Sequence, residues 1–96
     1  MKTITKKDVI QKIALKNRLD PKEVRLMIQD FLDYVTENLQ EGNRFEFRDF
    51  GVFEVVLRKQ KIGRNPKVPH IPVIIPAQNI VKFTPGKKLK KLMAET

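Results

Sequence analysis

The spacing of apolar side chains along this sequence changes near residue 43, from intervals of three and four to alternation. The first apolar positions with helical spacing are Val9, Ile10, Ile13 and Ala14. They predict a short helix that ends near Lys16. Thr5 is a suitable N-cap for this helix, and Asp8 stands three positions later, where a capping box has its acidic residue.

A longer helical pattern follows. Asp20 is predicted as its N-cap, Pro21 as its first residue and Glu23 as its third, while Gly42 marks its end. Its apolar stripe consists of Val24, Met27, Ile28, Phe31, Leu32, Val35 and Leu39. A stripe of methionine and aromatic residues is core in most proteins, so we assign it no ligand. It is broad for one chain of 96 residues to cover.

Alternating apolar and polar positions predict strands in the second part of the chain. The stretch "RFEFRDFGVFEVVLRKQ" alternates, turns over residues 49–51 and resumes with residues 52–57, which is typical of a hairpin with one face packed. "VIIP" and "NIVKF" are interpreted as the returning strand. "TPGKKLKKLMA" is interpreted as a last helix, with Thr84 as N-cap and Pro85 at its first position.

These elements predict an α+β fold with two N-terminal helices and a three-stranded antiparallel sheet. A long protruding β-ribbon arm and a short C-terminal helix complete it. We interpret residues 1–96 as one domain, with a helical dimerisation part at 1–42 and the sheet part at 43–96. The arm lies at about 58–76 and the last helix at about 85–94. Without the arm the body is marginal in size, and a homodimer that buries the helix stripe would stabilise it.

Basic side chains are concentrated in the second part of the chain. The net charge is +9, from 20 Lys and Arg against 11 Asp and Glu. Residues 1–42 hold eight basic and seven acidic side chains, whereas residues 43–96 hold twelve and four. No acidic side chain stands between Glu54 and Glu95, against ten Lys and Arg. Mixed signs would serve solubility equally well, so this field favours a polyanion as partner.

The residue types that most catalytic and metal sites require are scarce. The chain has no cysteine, and its one histidine, His70, stands among prolines. A Cys–His pair and a His-based metal cluster are therefore excluded, and no glycine-rich phosphate loop is present. We expect a protein that is not an enzyme and that uses no metal, no cofactor and no small-molecule substrate.

The sequence contains no apolar run long enough to span a bilayer, and its N-terminus "MKTITKKDVI" lacks the apolar region of a signal peptide. We therefore expect a cytoplasmic protein with no membrane partner. The absence of cysteine is compatible with a reducing compartment.

The predicted arm combines basic residues with a proline at its tip. Its basic side chains are Arg58, Lys59, Lys61, Arg64 and Lys67. Along a two-stranded ribbon they are able to follow a DNA groove, with Arg entering the minor groove and Lys meeting phosphates. Pro66 is either a rigid apolar wedge that kinks DNA or a turn residue, since Asn-Pro is a common turn dipeptide. Local sequence favours neither interpretation.

Five segments of the chain, in the same order and at nearly the same spacing, resemble the HU and integration host factor family of bacterial histone-like DNA-bending proteins. They are "TKKDVI", "FRDFGVFEV", "GRNP", "IPA" and "FTPGKKLK". The resemblance covers essentially the whole chain. It implies an intertwined homodimer, or a heterodimer with a related subunit, whose helices form a base and whose two arms embrace the minor groove of double-stranded DNA.

The resemblance also implies roles for individual residues. Pro66 takes the place of the family's intercalating proline, with Arg64 and Asn65 beside it. The other positions that it implies for DNA contact are Arg58, Lys61, Lys87, Lys88, Lys6 and Arg48. For Lys6 and Arg48 an ordinary surface charge is an equal alternative. We assign to the dimer interface Val24, Met27, Ile28, Phe31, Leu32 and Val35, with Phe45, Phe47, Phe50 and Phe53.

The sequence departs from the family at the tip, where "KVPHIP" replaces the usual Thr-Gly turn and one extra residue precedes "IPA". Pro69 and Pro72 have opposite parity along a strand, so in a regular ribbon one of them would face its partner strand without an N–H. This conflict predicts a wider tip or a bulge near residues 67–70.

We expect a nucleoid-associated protein that binds and bends duplex DNA in the minor groove, largely without sequence specificity, and so contributes to DNA condensation. One alternative is sequence-selective bending like that of integration host factor. The other is a protein-interaction module whose proline-rich arm binds a partner.

Overall fold

The structure is a computed structural model, which describes residues 1–68 and 70–95. The helices within these residues are α1 (Lys6–Asn17), α2 (Pro21–Gln40) and α3 (Lys87–Ala94). The strands are β1 (Phe45–Phe47), β2 (Gly51–Arg58), β3 (Lys61–Arg64), β4 (Pro72–Ile75) and β5 (Gln78–Pro85). The predicted order of elements and the α+β class are confirmed. The chain divides into two compact units, Met1–Glu37 and Asn38–Thr96.

The start of α1 is held by the predicted capping box. The Asp8 N–H donates to Thr5 Oγ1 over 3.4 Å, and the Thr5 N–H donates to Asp8 Oδ2 over 3.0 Å. The Thr5 hydroxyl donates to the same carboxylate oxygen over 3.0 Å. The backbone N–H and then the hydroxyl of Thr5 lower the pKa of the Asp8 carboxyl from its ordinary 3.8, because both stabilise the ionised form.

The first unit has a small core between α1 and α2. Ile10, Ala14 and Val24 are buried there, and Ile13 and Ile28 pack against them. Asp20 acts as predicted at the start of α2, since its Oδ1 accepts from the N–H two residues later over 2.9 Å.

The end of α2 is formed by a glycine. Gly42 has φ +86°, a left-handed conformation that favours glycine, and its N–H donates to the Leu39 carbonyl over 3.0 Å. The next N–H, from Asn43, donates to the Asn38 carbonyl over 2.9 Å. Gly42 therefore ends the helix as predicted.

Within the second unit, β1, β2 and β5 form an antiparallel sheet in the order β1-β2-β5. The β1–β2 turn is closed by the Phe50 N–H, which donates to the Phe47 carbonyl over 2.9 Å. Phenylalanines 45, 47, 50, 53 and 83 form a chain of ring contacts with centroids 4.7–6.5 Å apart. These rings lie on one side of the sheet, as alternation predicted for Phe45 and Phe47, whereas Phe50 stands in the turn.

The last helix begins later than the sequence pattern indicates. Thr84 and Pro85 are not its N-cap and first residue, because both belong to β5 and pair with Val52 and Gly51. The N-cap is Gly86, whose N–H donates to the Phe50 carbonyl over 2.8 Å. This pairing holds the chain extended for two further residues, a tertiary effect that a local turn signal does not contain.

The arm contains two ladders, β2–β5 and β3–β4, and the pairing of residues in the second continues that of the first. Arg58 opposes Gln78 and Lys61 opposes Ile75, so both strands advance by three residues across an interruption and keep their register. Pro76 stands in this interruption, and a proline breaks a ladder because it has no N–H to donate. The arm therefore consists of the far end of the three-stranded sheet and a separate β3–β4 ladder.

The β3–β4 ladder consists of four consecutive pairs, with no bulge among them, and it ends where Arg64 opposes Pro72. The described residues that join the two strands are 65–68 and 70–71, and they belong to neither strand, in agreement with the predicted wider tip. Pro72 is the first residue of its strand, where a missing N–H is tolerated. Pro69 lies outside the described residues, so its part in the predicted conflict stays a prediction.

None of the helices that the structure describes combines the length and the apolar character that a bilayer-spanning helix needs.

Candidate nucleic-acid interface

The arm carries all five basic side chains that the sequence assigns to it, and each is exposed. Arg58 is the last residue of β2, Lys59 stands in the interruption, and Lys61 and Arg64 are the first and last residues of β3. Lys67 lies at the tip. The arm brings these charges onto one narrow ribbon, and none of its described residues is acidic. Such a ribbon is suited to an anionic partner.

Pro66 lies in a tight turn at the tip. The Val68 N–H donates to the Asn65 carbonyl over 3.2 Å, and the Lys67 N–H donates to Asn65 Oδ1 over 2.9 Å. Proline presets the backbone angle that the second position of such a turn needs. The ring of Pro66 is exposed at this position. The turn interpretation therefore holds, and the same turn presents the ring to the outside, as a wedge requires.

The two faces of the β3–β4 ladder differ in character. Because side chains alternate along a strand and Ile62 opposes Ile74, these two share one face with Arg64 and Pro72, which we call the isoleucine face. The other face consists of Lys61, Gly63, Val73 and Ile75. The residues that line a concavity beside the tip are Ile62, Gly63, Arg64, His70 and Pro72.

A second basic site lies at the opposite end of the sheet, where α3 begins. Lys87 and Lys88 are the first two residues of α3, and its N-cap, Gly86, offers no side-chain hydrogen bond. Two cations therefore add to the positive end of the helix dipole, which costs the helix stability unless an anion is bound.

The turn that carries Arg48 lies against this site. A Cβ atom built on Gly86 would stand 3.1 Å from the backbone carbons of Asp49 and Phe50. The close approach holds the β1–β2 turn next to the start of α3. Arg48 thus belongs to a turn whose next two residues approach Gly86, the residue before Lys87, although the two segments are distant in sequence.

Lys6 belongs to the first unit and has a different environment. It is the first residue of α1, and its Nζ donates to Gln29 Oε1 over 2.6 Å. Gln29 Nε2 in turn donates to Asp33 Oδ1 over 2.8 Å. An uncharged amide as its partner leaves the charge of Lys6 uncompensated at this contact.

Five of the ten residues assigned to the dimer interface fall into two groups, buried and exposed. The other five, Ile28, Val35, Phe45, Phe47 and Phe53, are half-buried. Val24 is 2% exposed, within the core of one chain, so it offers a second chain almost no surface. Met27, Phe31 and Leu32 remain 41–56% exposed on α2, and Phe50 is 50% exposed on the sheet. This second group forms apolar surface that one chain does not bury.

Sequence reasoning did not identify some residues of these basic and apolar surfaces. Phe83 is 37% exposed and contacts both Phe50 and Phe53, although it belongs to the distant strand β5. Lys90 and Lys91 add two further charges to α3. The lysine-rich stretch "KKLKK" was the signal for these lysines, whereas the contacts of Phe83 depend on the β2–β5 register.

Comparisons of the sequence and of the structure with known proteins point to the same family. The family model described as bacterial DNA-binding protein matches residues 4–94. The chain is 53% identical over 93 residues to the "Probable DNA-binding protein HU" of Chlamydia trachomatis serovar D, covering 97% of this chain and 93% of that protein. It is 40% identical over 88 residues to the integration host factor subunit beta of Alkalilimnicola ehrlichii, covering 91% and 87%.

Solved structures give the same result. An Anabaena HU–DNA cocrystal structure superposes with a TM-score of 0.86 at 27% identity, covering 97% of this chain and 100% of that chain. HU from Thermotoga maritima superposes with a TM-score of 0.63 at 28% identity, covering 94% and 98%.

Proposed function

This chain belongs to the family of bacterial DNA-binding proteins that includes HU and integration host factor, and from that premise we propose that it binds duplex DNA and bends it. It acts as an architectural, histone-like protein of the nucleoid. Binding takes place in the minor groove, largely without sequence specificity. The observation that carries this proposal is the exposed basic β3–β4 hairpin with Pro66 at its tip, in a chain that resembles an HU solved with DNA.

The affinity comes from neutralised phosphates. The residues that we propose as DNA contacts on the arm are Arg58, Lys59, Lys61, Arg64, Asn65, Pro66 and Lys67. Lys87 and Lys88 bind phosphates at the start of α3, where an anion also relieves the repulsion between these lysines and the helix dipole. Arg48 and Lys6 contact flanking phosphates of a longer site. Each neutralised phosphate releases condensed counterions, so binding weakens with salt.

Pro66 is the proposed wedge. Its exposed ring stands at the apex of a turn whose backbone is held by two hydrogen bonds to Asn65. A rigid ring without an N–H leaves no donor unpaired when it enters a base step, and such insertion unstacks the step and kinks the duplex. The energy of unstacking is offset by the longer contact that bent DNA makes with the protein.

The working form of the protein is a dimer. Its interface consists of the exposed stripe of α2 and the phenylalanines of the sheet, so that two arms embrace one duplex. The second chain is an identical copy or a related subunit. The support is the exposure of Met27, Phe31, Leu32 and Phe50, which is costly in a protein with only three buried apolar residues in its described part.

The family is one of DNA-binding proteins rather than enzymes, and we propose that the chain has no catalytic activity and acts in the bacterial cytoplasm on the nucleoid. Among the described residues, no group of three or more His, Cys, Asp or Glu side chains is arranged to hold a metal ion. DNA bending by this route requires neither a metal nor a cofactor.

The test is a comparison of DNA bending by wild type and Pro66→Ala on one duplex, by fluorescence resonance energy transfer between its ends. We expect a smaller bend with Pro66→Ala, and affinity that falls steeply with salt for both proteins. Pro72→Ala is the control, since Pro72 lies in the ladder rather than at the apex. An unchanged bend with Pro66→Ala would show that this proline only forms the turn. Affinity that is insensitive to salt would overturn DNA binding by phosphate neutralisation.

A second candidate, sequence-selective bending, is favoured by the similarity to integration host factor subunit beta. Competition between random duplexes and duplexes selected for tight binding separates the two functions. A specificity ratio near unity supports general binding, and one of about a thousand or more supports selective binding.

A further inference from the structure

Two isoleucines face outwards together on the arm. Ile62 is 75% exposed and Ile74 is 64% exposed, and they are direct cross-strand partners on the isoleucine face. Large apolar side chains are costly in water. An exposed apolar pair on a narrow ribbon therefore indicates a surface that is covered when the protein is at work.

The other face of the same ladder exposes less apolar surface, since Val73 is 42% exposed there. There Gly63 opposes Val73, and a Cβ atom on Gly63 would stand 3.1 Å from Ile75 Cδ1. Ile75 thus lies over the glycine and is half-buried. The isoleucine of this face packs within the hairpin, whereas Ile62 and Ile74 contribute their cross-strand contact and leave most of their surface in solvent.

The charge around the pair identifies what covers it. Arg64 shares the isoleucine face and the concavity beside the tip. No acidic side chain stands between Glu54 and Glu95. A protein partner with an apolar patch would have to be strongly acidic as well. A nucleic acid meets both conditions, because its phosphates pair with Arg64 and its sugars present apolar C–H surface in the minor groove.

We propose that Ile62 and Ile74 pack against deoxyribose in the minor groove and make the arm select DNA over RNA. This inference rests on the proposed function. In an A-form RNA duplex the minor groove is wide and shallow and displays the 2′-hydroxyls. An isoleucine side chain pressed against a 2′-hydroxyl would remove it from water without a hydrogen bond, which is unfavourable. The same side chain against deoxyribose buries only apolar surface.

The test uses the full-length double variant with Ile62→Thr and Ile74→Thr. Threonine keeps the branched shape that suits a strand but adds a hydroxyl and loses apolar surface. Affinity is measured for a DNA duplex and for an RNA duplex of the same sequence, over a series of salt concentrations. We expect DNA affinity to fall about tenfold, from the lost apolar burial. RNA affinity stays equal or rises, so the DNA-to-RNA ratio falls at least as much.

The salt dependence separates this contact from the basic contacts. The slope of log affinity against log salt stays the same in the double variant, because no charge has changed. Val73→Thr, on the other face of the ladder, is the matched control and leaves the DNA-to-RNA ratio at its wild-type value. The double variant with Ile62→Leu and Ile74→Leu keeps the apolar surface and keeps the ratio.

Two outcomes overturn the inference. One is an unchanged ratio in the threonine double variant; if both affinities fell equally to give it, the pair would only stabilise the hairpin. The other is a ratio that falls as much in Val73→Thr. Failure of the proposed function looks different, since wild type itself would then show no salt-dependent affinity for duplex DNA.

Discussion

Gly51 is the residue whose identity the packing of the sheet determines most strictly. It is buried, and a Cβ atom at this position would stand 2.5 Å from the Phe83 ring and 2.6 Å from the Thr84 carbonyl oxygen. Both neighbours belong to β5, which pairs with β2. Neither is a flexible side-chain end, so no small movement relieves the clash.

We therefore predict that Gly51→Ala lowers the free energy of unfolding by about 3 kcal/mol, the upper range for overpacking a core. Urea or thermal unfolding followed by circular dichroism measures the change. Gly42→Ala is the control, because nothing lies within 4 Å of its Cβ position and only its φ of +86° opposes a side chain. Its expected cost is about 1 kcal/mol. Equal stability of the two variants would contradict the steric explanation.

The lowered pKa of Asp8 makes the α1 cap sensitive to acid. A carboxyl whose pKa is lower in the folded than in the unfolded chain stabilises the fold above its unfolded value, and this contribution is lost as pH falls through the folded value. With an ordinary value of 3.8, the loss takes place below that pH.

Asp8→Asn is therefore predicted to be less stable than wild type near neutral pH, and this difference is expected to shrink as pH falls below 3.8. The asparagine side chain does not titrate, and it is a weaker acceptor for the two Thr5 donors. Thermal unfolding at several pH values measures the difference. A difference that is constant through the acid range would show that the Asp8 charge has no part in the cap.

α3 is an element in which charge and stability oppose each other. Four of the eight residues of α3 are lysines, and two of them stand at its first turn without a capping side chain. The helix dipole favours the opposite charge there. Lysines at this end weaken the free helix. Anion binding explains them, because a bound anion offsets their repulsion by the helix dipole.

Lys87→Gln with Lys88→Gln is expected to change stability and binding in opposite directions. The helix gains about 0.5 kcal/mol per removed charge, while the slope of log affinity for DNA against log salt falls by about 1.8 for two lost phosphate contacts. Lys90→Gln with Lys91→Gln is the control with the same charge change. Lys91 lies in the last turn, where a cation is favourable, so this variant does not gain stability.

If both double variants changed the salt slope equally, the total charge of α3 would matter and not its position. Contact of Lys87 and Lys88 with phosphate would then be contradicted.

The stability of the whole molecule depends on how much of its apolar surface is buried. The buried apolar residues of the described chain are Ile10, Ala14 and Val24. A core of this size does not stabilise a domain by itself, while exposed side chains of α2 and of the phenylalanine cluster offer apolar surface to a second chain. We propose that dimerisation supplies the missing core.

We predict that the unfolding temperature rises with protein concentration, because association stabilises the folded chains by mass action. Leu32→Glu, on the exposed stripe of α2, is expected to abolish this dependence and to give a monomer by analytical ultracentrifugation. Leu26→Glu is the matched control, since Leu26 is 66% exposed on the same helix and lies outside its apolar stripe. A dimer that survives Leu32→Glu would place the interface elsewhere.

Local signals in the sequence were sufficient wherever a structure depends on neighbours in the chain. The capping box of Thr5 and Asp8 and the glycine stop at position 42 have their partners within five residues, so they were predicted from spacing alone. The family segments also predicted the order of the elements. Both kinds of signal failed at Thr84 and Pro85, where pairing with β2 extends the strand.

The sequence by itself determined the class of the fold, the basic second part and the prolines of the arm, because periodicity, charge and proline chemistry are properties of the chain. Only the tertiary structure decided which side chains share a face. The pairing of Ile62 with Ile74, the contact of Phe83 with Phe53 and the approach of Gly86 to the Arg48 turn all follow from strand register. Register joins residues that are distant in sequence, and no local pattern specifies it.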